Sequence, residues 1–169
     1  MPCVWRRASG AGGNDQGGQR SWGKLACRAR GRVVRQRGKA MSHLFPVTVY
    51  YEDTDMGGIV YHANFLKFIE RARSDWVAEM GIDQLAMRDH DGVVFAVRRI
   101  DAEFIKPARY GEDLEVRTGV ASLTGARLVM DQVVWRGDER LFAAQVTAAC
   151  MTLEGRPTRL PDQIRQLAE

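Results

Sequence analysis

Between Phe65 and Met80 the apolar residues Phe65, Phe68, Ile69, Ala72, Trp76, Val77 and Met80 recur at three- and four-residue intervals. That spacing puts them on one face of a helix. Lys67, Arg71, Arg73, Ser74, Asp75 and Glu79 fall mostly on the other side. A helix with so broad an apolar face must be covered, and the downstream chain supplies the cover. Strand-like runs lie at about Val93–Ile105, Leu114–Ser122, Arg127–Trp135 and Arg140–Leu153. In the second, Leu114, Val116, Thr118 and Val120 alternate with Glu115, Arg117 and Gly119, the period of a strand buried on one side. Pro107, Tyr110-Gly111-Glu112, Thr124-Gly125 and Arg136-Gly137-Asp138 break the runs with turn chemistry. Strands that follow one another without intervening helices pair antiparallel, so the class is α+β.

Upstream, His43 to Thr54 reads as a further strand, with Pro46 near its start where a missing N–H is tolerated. The turn Asp55-Met-Gly-Gly58 follows, and the helix opens just after Tyr61-His62 and stops at Gly81. Asp83 to Asp91 is short and helical or irregular, Pro157 and Pro161 close the domain, and Asp162 to Glu169 forms a last helical turn. The chemical interest lies at the turn. A helix N-terminus offers N–H groups and partial positive charge, and Asp55 brings a carboxylate to its mouth.

The net charge of +4 is unevenly placed. Residues 1–40 hold ten Lys or Arg against Asp15 alone, whereas residues 41–169 hold 15 bases and 20 acids. A basic total therefore says nothing about a nucleic-acid surface on the domain, which is mildly acidic. Residues 1–40 also hold eight of the 17 glycines, and they cannot bury enough apolar surface to offset the entropy of ordering. They are expected to be a disordered or loosely packed tail, or an upstream extension from a misassigned start at a chain that makes structural sense from Met41. The competing readings are a basic arm for nucleic acid or membrane and an Arg-rich targeting segment. Cys3, Cys27 and Cys150 form no disulfide framework or metal-ligand pair, and Cys150 reads as a small buried residue. No run of about 18 apolar residues suggests a membrane span.

The stretch Tyr51-Glu-Asp-Thr-Asp55-Met-Gly-Gly58-Ile-Val-Tyr-His62-Ala-Asn-Phe65, followed by Glu70, resembles the signature of the 4-hydroxybenzoyl-CoA thioesterase family. Within it the likeness is to the Tol–Pal-associated acyl-CoA thioesterases of bacteria, and it extends from residue 44 to about 160. Thr48 departs from the pattern, where Gln or Arg is expected. The resemblance implies a hot-dog fold, a curved antiparallel five-stranded sheet wrapped around one long central helix, spanning residues 41–169. It also implies a cytoplasmic hydrolase of short- or medium-chain or aromatic acyl-CoA or acyl-carrier-protein thioesters. No cofactor or metal is expected, and the assembly is a homo-oligomer, a dimer of dimers, with the pocket shared between subunits.

Carried onto this chain, Asp55 matches the family's catalytic aspartate, acting as nucleophile through a mixed anhydride or as general base to water. The N–H of His62 is the expected oxyanion donor, a contribution of about 3 kcal/mol to lowering the barrier. The His62 side chain either orients substrate or Asp55, or only caps the helix. Gly58 gives the thioester room, and Tyr61 is pocket wall or packing. Glu70 hydrogen-bonds near the site or makes a surface or interfacial link to Arg73 or Arg71. Asp53 reads as solvated or capping, and His43 and His90 show no acidic partner at metal-ligand spacing. Arg98, Arg99, Lys106, Arg109 and Arg127 are candidates for the phosphates of coenzyme A. The rival functions are a hot-dog module that binds acyl groups or proteins without turnover and, more weakly, a dehydratase, for which a separate His–acid pair is lacking.

Overall fold

The computed structural model describes residues 32–34 and 42–168. Along three of the strands, burial alternates with the period seen in the sequence. Val116, Val134 and Phe142 form one rung of directly opposed residues, and Thr118, Gln132 and Ala144 form the next. All six are buried. The helix α1, His62–Glu79, lies on this face and contacts β2, β4 and β5. Its Phe68, Ile69, Ala72 and Trp76 are fully buried, each large side chain worth about 1.5–3 kcal/mol on removal from water.

In chain order the elements are β1 (Arg32–Val34), β2 (Ser42–Thr48), α1, α2 (Gln84–Asp91), β3 (Val93–Phe104), β4 (Asp113–Leu123), β5 (Arg127–Arg136), β6 (Glu139–Thr152) and α3 (Asp162–Arg165). The sheet order is β1-β2-β4-β5-β6-β3, antiparallel at every step. The five expected strands and the long central helix are the hot-dog arrangement. A sixth strand is added at one edge, where Arg32–Val34 pairs with Ser42–Leu44. This short piece of the basic segment lies in the sheet; the rest of residues 1–40, with the expectation of disorder, falls outside the described residues. Within them no helix is long and apolar enough to cross a membrane.

The first long strand is shorter than expected. It ends at Thr48, and Tyr51–Asp53 form a 3-10 turn. Asp53 causes the change, because its carboxylate accepts the Tyr50 N–H at 2.9 Å and draws the backbone out of the ladder. The Asp83 carboxylate accepts from the Leu85 and Ala86 N–H groups, which starts α2. The left-handed Gly92 at φ +63 ends it. Cys150 is buried in β6, as its small apolar character suggested.

One polar side chain sits where the alternation calls for an apolar one. Gln132 is fully buried under α1 and is completely hydrogen-bonded. Its amide donates to the Ile69 carbonyl at 3.0 Å and the Thr118 hydroxyl at 2.9 Å, and its oxygen accepts from the Arg73 guanidinium at 2.7 Å. The amide thereby locks the axial position of the helix on the sheet. Replacing Gln132 with Leu keeps the volume and strands the groups it served, so the variant should be about 1–3 kcal/mol less stable. In urea unfolding its midpoint should fall with an unchanged slope; an unaltered midpoint would contradict this role.

Candidate active site

The loop from Asp53 to Tyr61 is closed at its base by backbone pairing of Thr54 with Val60. Inside it the Asp55 N–H donates to the Ile59 carbonyl at 2.9 Å, and the Gly58 N–H donates to the Asp55 carbonyl at 3.0 Å. The Val60 N–H ties the loop to Ala108, between β3 and β4, at 2.8 Å. Asp55 itself is exposed. Its Oδ1 accepts the Gly57 N–H at 2.8 Å, which orients the carboxylate.

Asp53 does a different job. It is buried, not solvated, and acts as a cap on both sides of the loop. Its carboxylate holds Tyr50, and its carbonyl accepts the Tyr61 N–H at 2.9 Å and the Asn64 side-chain amide at 3.0 Å. Asn64 was not singled out in the sequence, although an amide on the first helical turn of an apolar stripe was a usable signal. With the Tyr61 N–H on Asp53 and the Asn64 N–H on the Tyr61 carbonyl at 2.8 Å, the first-turn donors left to face a ligand are those of His62 and Ala63. Both belong to the element that Asp53 fastens to the Asp55 loop.

The two glycines divide their labour in a way the sequence did not separate. Gly58 has φ +69 and open space around it, so its requirement is conformational. The close approach belongs to Gly57, where an added Cβ would lie 3.0 Å from Asp55 Oδ1. Tyr61 and His62 are exposed, with ring centroids 4.4 Å apart. Phe104, at the end of β3, meets His62 edge-on at 6.1 Å and packs on Phe142 at 5.2 Å. The long-range approach of Phe104 to the helix mouth left no signal in the sequence.

Asp55, Gly58, Tyr61 and His62 therefore share one loop and helix mouth, but Glu70 does not join them within the subunit. It lies eight residues along α1, about 12 Å up the axis from His62. There it accepts the Ser74 hydroxyl at 2.8 Å and borders a cavity between α1 and the sheet. Burial pushes the Arg73 guanidinium down, and the Glu70 charge opposes the change; Arg73 spends its hydrogen bond on Gln132 instead of an ion pair.

His43 corrects another expectation. It is fully buried on β2, and α1 brings it two acids, with Asp75 at 2.9 Å and Glu79 at 3.7 Å from Nε2. The three are close enough together to hold a metal ion. A ligating imidazole, however, normally donates its other ring nitrogen to a fixed acceptor, and Nδ1 here is buried without a partner among the described residues. The arrangement reads as a buried link between strand and helix, and its full burial removes His43 from contact with any substrate. Of the five basic candidates, Arg99 pairs with Asp101 and Lys106 with Glu139. Arg98, Arg109 and Arg127 are exposed and without an ion pair among the described residues.

A family model described as the thioesterase superfamily matches residues 57–143. The acyl-CoA thioester hydrolase YbgC of Escherichia coli is 38% identical over 122 residues, covering 71% of this chain and 90% of that protein. The chain belongs to the thioesterase superfamily. It is a thioester hydrolase of that family. A 1,4-dihydroxy-2-naphthoyl-CoA hydrolase of Thermosynechococcus vestitus is 29% identical over 128 residues, covering 72% of this thioesterase and 88% of that one. The crystal structure of a probable thioesterase from Bartonella henselae superposes with a TM-score of 0.68 at 36% identity, covering 71% of this chain and 99% of that one. The family match starts two residues after Asp55, so the case for the carboxylate rests on its geometry.

That geometry makes Gly57 the sensitive position. Gly57→Ala should push Oδ1 off the Gly57 N–H and lower kcat by at least about tenfold, roughly 1.4 kcal/mol of barrier. Its urea midpoint should stay near that of the parent. Gly58→Ala should instead lose about 1–2 kcal/mol of stability through its left-handed backbone. Equal stability losses in the two variants would remove the distinction.

Proposed function

We propose that this thioesterase hydrolyses an acyl-CoA, with Asp55 as the catalytic carboxylate at the mouth of α1. The observation that carries the proposal is the clamped loop, in which Gly57 orients Asp55 while Asp53 fastens the same loop to the first turn of the helix. The names of the relatives support acyl-CoA as the substrate class. An oxygen nucleophile, water or the Asp55 carboxylate, adds to the thioester carbonyl, the carbonyl oxygen becomes an oxyanion, the carbon–sulfur bond breaks and the thiolate takes a proton. Asp55 serves either as general base to that water or as the nucleophile whose anhydride the water then opens. The His62 N–H, with that of Ala63 beside it, faces the oxyanion from a fixed position. Tyr61 and Gly58 shape the approach of the thioester.

The same proposal includes a second copy of the chain. β3 is the last strand of the sheet, its outer edge has no partner among the described residues, and Val97 and Phe104 on it are exposed. A twelve-residue edge of this kind is normally covered. Antiparallel pairing across a two-fold axis at the middle of β3 sets the Phe104 end, which carries the His62 contact, against the other copy's Val93–Val97 end. The cavity bordered by Glu70 and Val97 then adjoins the other copy's Asp55 loop, which gives Glu70 its place in a shared substrate site. Val129, Val133 and Trp135 on the outer sheet face are half-buried and suit a further dimer-to-dimer contact. The exposed Arg98, Arg109 and Arg127 remain as candidates for the phosphates. The reading also covers the finer expectations of membership in the Tol–Pal-associated branch, a cytoplasmic setting and acyl-carrier protein as an alternative thiol carrier.

Asp55→Asn keeps the shape of the side chain and removes the base. It should cut thiol release from a panel of short-, medium-chain and aromatic acyl-CoAs by at least about 100-fold, the lower end of a general-base contribution. The circular dichroism and unfolding midpoint should stay close to those of the parent. An unchanged kcat in the folded variant would overturn the assignment.

A further inference from the structure

The cavity beside Glu70 has a volume of about 210 Å³. That is below the 300–1,000 Å³ of pockets for drug-sized ligands and suits a slender group. It runs across the sheet in strand order. Val97 of β3 is at the exposed end, Ala148 of β6 in the middle, and Met130 of β5 further in. Adjacent strands are about 4.8 Å apart, so this crossing spans about 10 Å. Its charged lining groups are already engaged, Glu70 by the Ser74 hydroxyl and the half-buried Arg73 by Gln132, while Met130, Ala148 and Ile164 are buried.

The C-terminal segment borders the cavity through Ile164. Leu160 donates its N–H to the Gly125 carbonyl, in the turn between β4 and β5, at 2.9 Å. That bond anchors α3 on the far side of the cavity from β3. α3 is a single turn of four residues, and its Ile164 is fully buried against the cavity. An apolar stretch from Val97 through Ala148 and one branched side chain at the α3 side form a length gauge.

We propose that this cavity takes the hydrocarbon tail of the acyl group and that Ile164 sets the longest tail accepted. The inference rests on the thioesterase reading with its paired subunits, in which the rim adjoins the other copy's Asp55 loop. Shortening Ile164 deepens the channel, and enlarging Ala148 blocks it halfway. The specificity should move in opposite directions in the two cases.

The test measures kcat/KM for straight-chain acyl-CoAs from acetyl to lauroyl in the full chain and in Ile164→Ala, Ile164→Val and Ala148→Leu. The ratio of longest to shortest substrate should rise at least tenfold in Ile164→Ala, rise less in Ile164→Val, and fall at least tenfold in Ala148→Leu. Ile164→Val keeps the experiment usable if the alanine variant does not fold. The same straight-chain free acids, without coenzyme A, are titrated while the unfolding temperature is followed. The chain length giving the largest stabilisation should shift with the variants in the same sense. If all substrates change by one common factor and the acid profile is unmoved, the length gauge is wrong. If the parent releases no thiol from any acyl-CoA, the thioesterase reading fails, and the acid profile alone decides whether the cavity holds a tail.

Discussion

Everything in this protein depends on how one helix is held down. The apolar stripe of α1 is too wide to leave in water, and the curved sheet meets it with rungs of Val116, Val134 and Phe142. Hydrophobic burial is nearly indifferent to a slide of the helix along its axis. The Gln132 amide is not indifferent, because it bonds to the Ile69 carbonyl, the Thr118 hydroxyl and the Arg73 guanidinium at once. A directional polar contact thus sets a position that the non-directional force leaves loose.

The site inherits that position. Its loop is fastened to the first turn of α1 by Asp53 and Asn64, and to the sheet side by the Val60 contact with Ala108. The carboxylate of Asp55 and the donors of the helix mouth thereby move as one body. Preorganisation of this kind lets fixed dipoles act on developing charge without rearrangement during the reaction. The buried acid and the exposed acid, two residues apart, differ in role: Asp53 builds the frame, and Asp55 is exposed to solvent.

The helix and the four downstream strands were legible because their signals are local. A 3.6-residue stripe and a two-residue alternation survive whatever the distant chain does. The turn motif carried enough chemistry to single out Asp55, Gly58, Tyr61 and His62, which the structure does gather. What failed to show in the sequence depends on residues far apart. His43 meets Asp75 across 32 positions, and Phe104 meets His62 from the end of β3. For Asp53 the sequence left solvation and capping both open, because its capping depends on how the backbone bends. Glu70 is too far along the helix to reach Asp55 within one subunit. The separate duties of Gly57 and Gly58 needed actual backbone angles and distances.

The small strand at Arg32–Val34 has a consequence for growth of the sheet. An open sheet has two edges, and a protein with two equally extendable edges can add copies indefinitely. Among the described residues β1 occupies the outer side of β2 and presents three residues of its own, a short template. The proposed pairing uses the other edge, β3. A contact that uses one edge of each copy, related by a two-fold axis, consumes both edges and stops. In the proposed dimer the chain's own upstream strand would thus leave the sheet suited to finite pairing.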